Sequence, residues 1–270
     1  MFTDPTPGSE PPAFRLETPA YTGGPRKTLR DFGWLLRAEL FLLRETWFWY
    51  FVQSSFVSVS YFVFLWLLVG RQPQADLVYL VVGSLVMGLS FGGMLSLGQH
   101  LGYLKEMSAF DYYAALPISK AAFVAAITTR GTLLALPSAV VTALLAALVF
   151  GVSLSLLAVP ILLLSAYAMA GLGAVIGFWS PSAQVASLLT QVLQTVIIFF
   201  APVYFPPEVL PDFLRVIAQI WPTTHAATAL HATITGVTGA VLYASVALLL
   251  VFCLVSLVLI PLRLDWRGRG

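Results

Sequence analysis

The chain has one cysteine, Cys253, in 270 residues. An internal disulfide and every multi-cysteine metal site are therefore excluded. Cys253 lies in an apolar run and reads as a small packing residue. Charge is scarce as well: Asp, Glu, Lys and Arg make up 10% of the chain, where a soluble domain carries about 25%. The formal charge of +2 comes with no basic run able to track a nucleic-acid groove. No Gly-Lys pair occurs, so there is no Walker A phosphate loop. The run Leu89-Ser90-Phe91-Gly92-Gly93 has the look of an ATPase signature loop, but it sits inside an apolar segment, where that resemblance is coincidental. A Gly-x-Ser-x-Gly elbow is missing. The three histidines, His100, His225 and His231, have neither the mutual spacing nor the neighbouring acids of a metal site. No acid lies deep in an apolar run; Asp76 stands at the end of one. A carboxylate proton relay thus lacks its residues. The expectation is no catalytic residue, no metal and no cofactor on this chain.

Apolar sequence is what remains. Hydrophobic residues make up 59% of the chain, and the mean hydropathy is +0.89. Spanning a hydrocarbon core of about 30 Å takes about 20 apolar helical residues. Six segments qualify, at about 47–69, 76–100, 121–150, 155–178, 183–203 and 239–262. The third exceeds the need, because Thr132 to Phe150 suffices. Its first turns are expected to project from the core and to leave Arg130 snorkelling at the interface.

Residues 1–25 hold six prolines and three glycines and no apolar core. They read as a disordered cytoplasmic tail rather than a secretory signal. From Thr28 onward Leu29, Phe32, Leu36, Leu40, Leu43 and Trp47 recur at steps of three or four, with Arg30, Arg37 and Arg44 on another face. This predicts a basic amphipathic helix over 26–45, lying on the cytoplasmic leaflet or packed on protein. Six spans put both termini on one side. The positive-inside rule makes that side cytoplasmic. Residues 1–45 hold six Lys and Arg, 101–120 hold Lys105 and Lys120, and 261–270 hold Arg263, Arg267 and Arg269, against Arg71 and Arg215 on the other face. Trp47, Trp49, Trp66, Trp179 and Trp266 stand near span ends as interfacial anchors.

Span 2 carries a ladder of small residues, Ser84, Gly88, Gly92 and Ser96, which marks a close helix contact. Span 4 carries Ala166, Ala170, Gly173, Ala174 and Gly177. Span 5 places Gln184, Ser187, Gln191 and Gln194 on one stripe, a polar face that should not meet lipid. It lines a translocation path, forms a subunit seam, or bonds within the chain. Gln53 in span 1 is a weaker candidate of the same kind.

The charged loop between spans 2 and 3 predicts a short helix from about Leu104 to Ala115, stopped by Pro117. Its Glu106, Ser108, Ala109, Phe110 and Asp111, followed by Pro117 and Ser119, resemble the loop of ABC-2-type exporter membrane subunits. That family typically shows Glu-x-Gly-Thr-Leu-Glu, five residues, then Pro-x-Ser; here Ser-Ala replaces Gly-Thr. After span 5, Pro206-Pro207-Glu208 through Pro211, and then Trp221-Pro222-Thr223-Thr224, are similar to the same family's outer segment. The leading amphipathic helix is a third similarity.

The resemblance implies an all-α integral membrane fold: six transmembrane helices behind an amphipathic connecting helix, the type V exporter-like arrangement. The transmembrane domain would cover 46–262, with a coupling helix at about 103–116, an outer re-entrant segment at about 204–225 and a cytoplasmic tail at 263–270. It further implies that Lys105, Glu106, Phe110, Asp111, Tyr112 and Tyr113 contact two separate ABC ATPase subunits, which hold ATP and Mg. A second permease subunit, identical or paralogous, completes the path in the inner (cytoplasmic) membrane. The expected cargo is hydrophobic or amphipathic (a drug, antibiotic or lipid). A glycan or lipid-linked polymer exporter, an ion-driven carrier and a membrane scaffold are the alternatives.

Overall fold

A computed structural model describes residues 23–69, 74–152, 154–237 and 239–263. Every regular element among the described residues is helical. The elements are α1 (Pro25–Leu43), α2 (Trp47–Val69), α3 (Gln74–Leu89), a π-helical turn (Ser90–Leu95), α4 (Ser96–Glu106), α5 (Ala109–Ala115), α6 (Lys120–Phe150), α7 (Ala158–Trp179), α8 (Ala183–Phe200), α9 (Asp212–Ala218), α10 (Pro222–Thr235) and α11 (Ala240–Arg263). The tails expected at 1–25 and 263–270 lie outside the described residues apart from their inner ends, as do Arg71 and Trp266.

Six stretches are long and apolar enough to cross a bilayer: Trp47–Leu67, Leu77–Glu106, Lys120–Phe150, Ala158–Trp179, Ala183–Phe200 and Ala240–Leu262. The chain is thus a multi-pass membrane protein of the expected all-helical class. Trp47, Trp49, Trp66 and Trp179 are exposed near the span ends.

The second span is the axis of the packing. It runs from α3 through the π turn into α4, and its residues from Leu80 to Met94 are almost all fully buried. The small-residue ladder explains how neighbours come so close. A Cβ on Gly88 would lie 2.6 Å from the Ser138 hydroxyl, and one on Gly92 would lie 2.6 Å from the Ala135 Cα of α6. On α7, Gly177 lies under Leu101, and a Cβ there would stand 2.6 Å from that side chain. Both small-residue faces are therefore used inside one chain. The Ser58 hydroxyl donates to the Ser84 carbonyl at 2.7 Å and also lies 2.7 Å from the Thr142 hydroxyl, which joins α2, α3 and α6. Apolar burial gives little drive between helices in lipid, so close approach and hydrogen bonds carry the packing.

Two apolar cores result. The larger fills the spans around Leu85, Met87, Met169 and Leu249. The second gathers Leu97, Leu101, Phe123, Ile127 and Phe178 where α1 and α5 cover the ends of α4, α6 and α7.

Two expectations require correction here. On α1 the apolar stripe is shared: Phe32, Leu36 and Leu43 pack on the chain, and Leu29, Leu40 and Trp47 stay outside. Asp31, Leu35, Glu39 and Leu43, each four residues on, are buried against α6. Leu29, Leu40 and Trp47 are exposed together with Trp34, Phe41 and Leu42. The first correction is Arg130, which does not snorkel: it is 4% exposed and pairs with the buried Glu39. Likewise the loop helix expected over 104–115 is two pieces. α4 continues to Glu106, Ser108 adopts φ 51°, ψ 25°, and α5 starts at Ala109. After α8, a 3-10 turn (Pro207–Val209), α9 and α10 follow. Pro222 opens α10, where a missing N–H is harmless, and Gly236 at φ 73° closes it. Nearly all of α10 is buried against α3, α7 and α11.

Candidate functional site

α5 is only seven residues long, yet it is anchored on one face. Phe110 stacks on Phe178 at 5.4 Å, and Tyr113 lies 4.7 Å from Phe123. The opposite face presents Asp111 and Tyr112 to the outside, Tyr112 being 66% exposed. Met107 is also exposed beside the Ser108 break.

The anchor extends into a buried polar triad. The Tyr113 hydroxyl donates to Glu39 Oε1 at 3.3 Å. Arg130 Nε stands 3.3 Å from Glu39 Oε2, and both side chains are 5% exposed. Burial raises the Glu39 carboxyl above the ordinary carboxylate range, more than Arg130 and the Tyr113 hydroxyl pull it down. Burial, with Glu39 beside it, pushes the Tyr113 phenol up to about 12. The triad thus ties α5 and α6, neighbours in the chain, to α1, which lies some seventy residues earlier.

Lys105, half-buried, and Glu106, exposed, both bond back to the chain. Lys105 Nζ donates to the Ser180 carbonyl at 2.6 Å and to the Phe178 carbonyl at 3.1 Å, satisfying the end of α7. Glu106 Oε1 accepts from the Ala183 N–H at 3.1 Å, one of the free donors at the start of α8. Ser182 caps the same helix by accepting from Val185 N–H. The two charged residues clamp the α7–α8 turn to the end of α4. Of the six residues expected at a partner contact, Asp111 and Tyr112 face outward, while Lys105, Glu106, Phe110 and Tyr113 are bonded or packed within the chain.

A second feature is a cleft of about 310 Å³ between α2 and α4, lined by Tyr50, Gln53, Ser96, Gln99, His100 and Tyr103. Gln53 is exposed, as its assignment to a polar wall requires. The cleft connects to α8 through side chains. Gln99 Nε2 donates to the Ser187 hydroxyl at 3.4 Å, and Gln191 Nε2 donates to the same oxygen at 2.8 Å. Gln184 and Gln191 are exposed. The span 5 stripe does not act as one unit, however. Gln194 is buried: Ser90 Oγ donates to its Oε1 at 2.7 Å, and its Nε2 lies 3.6 Å from Met87 Sδ. It therefore braces the π turn, the internal role for this stripe.

No carboxylate lines the cleft, and the described residues hold no cluster of three or more His, Cys, Asp or Glu able to take a metal. Its chemistry is amides, hydroxyls and the His100 imidazole beside the apolar Phe91 and Leu95. It can hydrogen-bond a polar head while its surroundings meet hydrocarbon. Sequence reasoning had missed Glu39, Gln99 and His100. Gln99 and His100 follow Ser96 on the small-residue span, and their polarity there was the available signal. Residues 30–235 match the family described as ABC-2 type transporter. That stretch takes in α1 from Arg30 on, α5 and the cleft, and ends with α10. The chain matches none of the curated proteins.

Proposed function

As the chain belongs to the ABC-2 type transporter family, we propose that it is the permease subunit of an ATP-driven exporter of hydrophobic or amphipathic cargo. Two separate ABC ATPase subunits, holding ATP and Mg, seat against the exposed side of α5. A second permease subunit, identical or paralogous, faces the α2–α8 side and closes the polar cleft into a path. Both termini are cytoplasmic in the inner membrane, on the side that collects the Lys and Arg.

The observation that carries this reading is the construction of α5. Its outer face offers Asp111 and Tyr112, while its inner face is fastened to three helices by Phe110, Tyr113 and the Glu39–Arg130 pair. A push on such an element cannot be absorbed locally, because packed cores deform between discrete arrangements rather than continuously. It is passed to α1 directly and to α6 through Arg130. The cleft, with amides but no carboxylate, suits a cargo with an uncharged polar head on an apolar body.

The test is to co-purify the chain with an ABC ATPase encoded beside it and to measure ATP hydrolysis in lipid against a panel of hydrophobic compounds. A stable complex with cargo-stimulated hydrolysis is expected. Tyr112→Ala should abolish the stimulation while expression and the thermal midpoint change little, since the side chain is 66% exposed and its one ring contact within the described residues is edge-on to Tyr113. Association with no ATPase would overturn the reading.

A further inference from the structure

A large recess lies apart from the polar cleft, on the other side of α2. It measures about 550 Å³ and opens between the end of α1, the start of α2 and the middle of α6. Sites for small organic ligands fall in the range of about 300–1,000 Å³. The walls are almost wholly hydrocarbon, from Phe41, Trp47, Phe51, Leu133 and Pro137. Two polar residues join them, and both are cations, Arg37 and Arg44. Both arginines are exposed.

The charge on this rim is uncompensated by the recess itself. No carboxylate among the described residues lines it. Glu39, the acid within this half of α1, is turned to the opposite face and paired with Arg130.

The order of chemistry along the recess matches the depth profile of a bilayer. Arg37 and Arg44 precede Trp47, where the first membrane-spanning stretch begins, and Phe51 lies within it. On α6, the helix from Thr132 to Phe150 alone is about 28 Å long, so Leu133 lies close to the head-group end. Pro137 lacks an N–H and cannot bond the Leu133 carbonyl one turn back, which leaves an acceptor without its helical donor in the recess wall. Cations at the outer edge and hydrocarbon beyond describe an amphiphile that is anionic and carries acyl chains.

We propose that this recess binds one acidic phospholipid of the surrounding leaflet, its phosphate at Arg37 and Arg44 and its chains against Phe51 and Pro137. Basic pockets beside membrane helices recognise such head groups by charge. The lipid would fill the gap between α1 and α6 just beyond the Glu39–Arg130 pair. The position of α1 would then depend on the lipid composition of the membrane.

The proposal is tested on the full chain in mild detergent, titrated with phosphatidylglycerol or phosphatidylcholine and followed by native mass spectrometry. One phosphatidylglycerol per chain is expected, bound at least tenfold more tightly than phosphatidylcholine. Arg37→Gln combined with Arg44→Gln should weaken it roughly 30-fold and leave phosphatidylcholine unaffected. Both positions are exposed, so the thermal midpoint should not move. Leu133→Trp fills the recess, keeps both arginines and should displace either lipid. If that variant fails to fold, the arginine pair decides alone. Equal binding of the two lipids, or full retention in the arginine variant, overturns the site. So does disulfide capture of a second chain through Leu133→Cys in a Cys253→Ser background, which would make the recess an interface between copies. No nucleotide enters these measurements, so their outcome is independent of the exporter reading.

Discussion

A single pair of side chains decides how α1 lies. Glu39 and Arg130 are taken out of water together, and such a pair returns little net stability, because desolvation offsets the attraction. Arg130 Nε, though 3.3 Å from Glu39, and Nη1 both lack a well-aligned hydrogen bond, which lowers the return further. Breaking the pair from one side is another matter, costing about 3–5 kcal/mol when a buried charge is left alone. The two sides are unequal. Glu39→Gln strands a guanidinium that cannot discharge. Arg130→Met leaves a carboxyl already raised by burial, which can take a proton. Glu39→Gln should therefore lower the thermal midpoint in detergent more than Arg130→Met, and Glu39→Leu with Arg130→Met should recover most of the loss. The sign with pH follows. A carboxyl whose folded pKa lies above its unfolded value gives a folded state that binds more protons. The Arg130→Met variant should be most stable below the ordinary carboxylate range and lose stability as pH rises through the elevated folded value. A midpoint that is flat with pH would show that Glu39 has reached water.

At the scale of elements, Ser108 is the residue to change. It is the single non-glycine with positive φ among the described residues, and its left-handed backbone lets the chain turn from α4 into α5. Left-handed conformation costs an L-residue roughly 1–2 kcal/mol. In the motif that this loop resembles, glycine stands at the position of Ser108. Ser108→Gly should raise the stability by about 1 kcal/mol, read as a higher thermal midpoint; a lower midpoint would mean that the turn is not left-handed. This turn also marks what the sequence could and could not disclose. The six long spans were legible because hydropathy sums over some twenty residues and one polar position cannot reverse it. The break at Met107–Ser108 was not, because neither residue is a glycine or a proline. The packed face of α1 was hidden for a different reason. Phe32, Leu36 and Leu43 of its apolar stripe pack beside Asp31 and Glu39, and the partner that lets Glu39 be buried, Arg130, stands some ninety residues further on. The glutamines of α8 share one stripe, yet Gln194 bonds Ser90 in the π turn while Gln191 stays outside. Only the packed neighbours separate them.

For the whole molecule, the question is what covers α8. Gln184, Gln191 and Thr195 are exposed on a helix whose other outward residues, Leu188, Leu189, Val192 and Phe199, suit lipid. Gln191 and Thr195 are partly satisfied within the helix, through the Ser187 hydroxyl and the Gln191 carbonyl. Their remaining donors and acceptors would meet hydrocarbon in an isolated chain, which is costly enough that polar side chains at this depth turn to protein or water-filled cavities. The α2–α4 cleft joined to this stripe is likewise open on the outside. Both needs are met at once if a second permease subunit lies along α8 and encloses the cleft between the two. In a Cys253→Ser background, Gln191→Cys should then give an oxidised dimer on a non-reducing gel, and Gln184→Cys a weaker one nearer the end of the helix. Leu133→Cys, on the far side of α2, should stay monomeric. Dimer formation at 133 and none at 184 or 191 would reverse the assembly. It would place the subunit contact on the α1–α6 face and leave the polar stripe of α8 to line a path within a single chain.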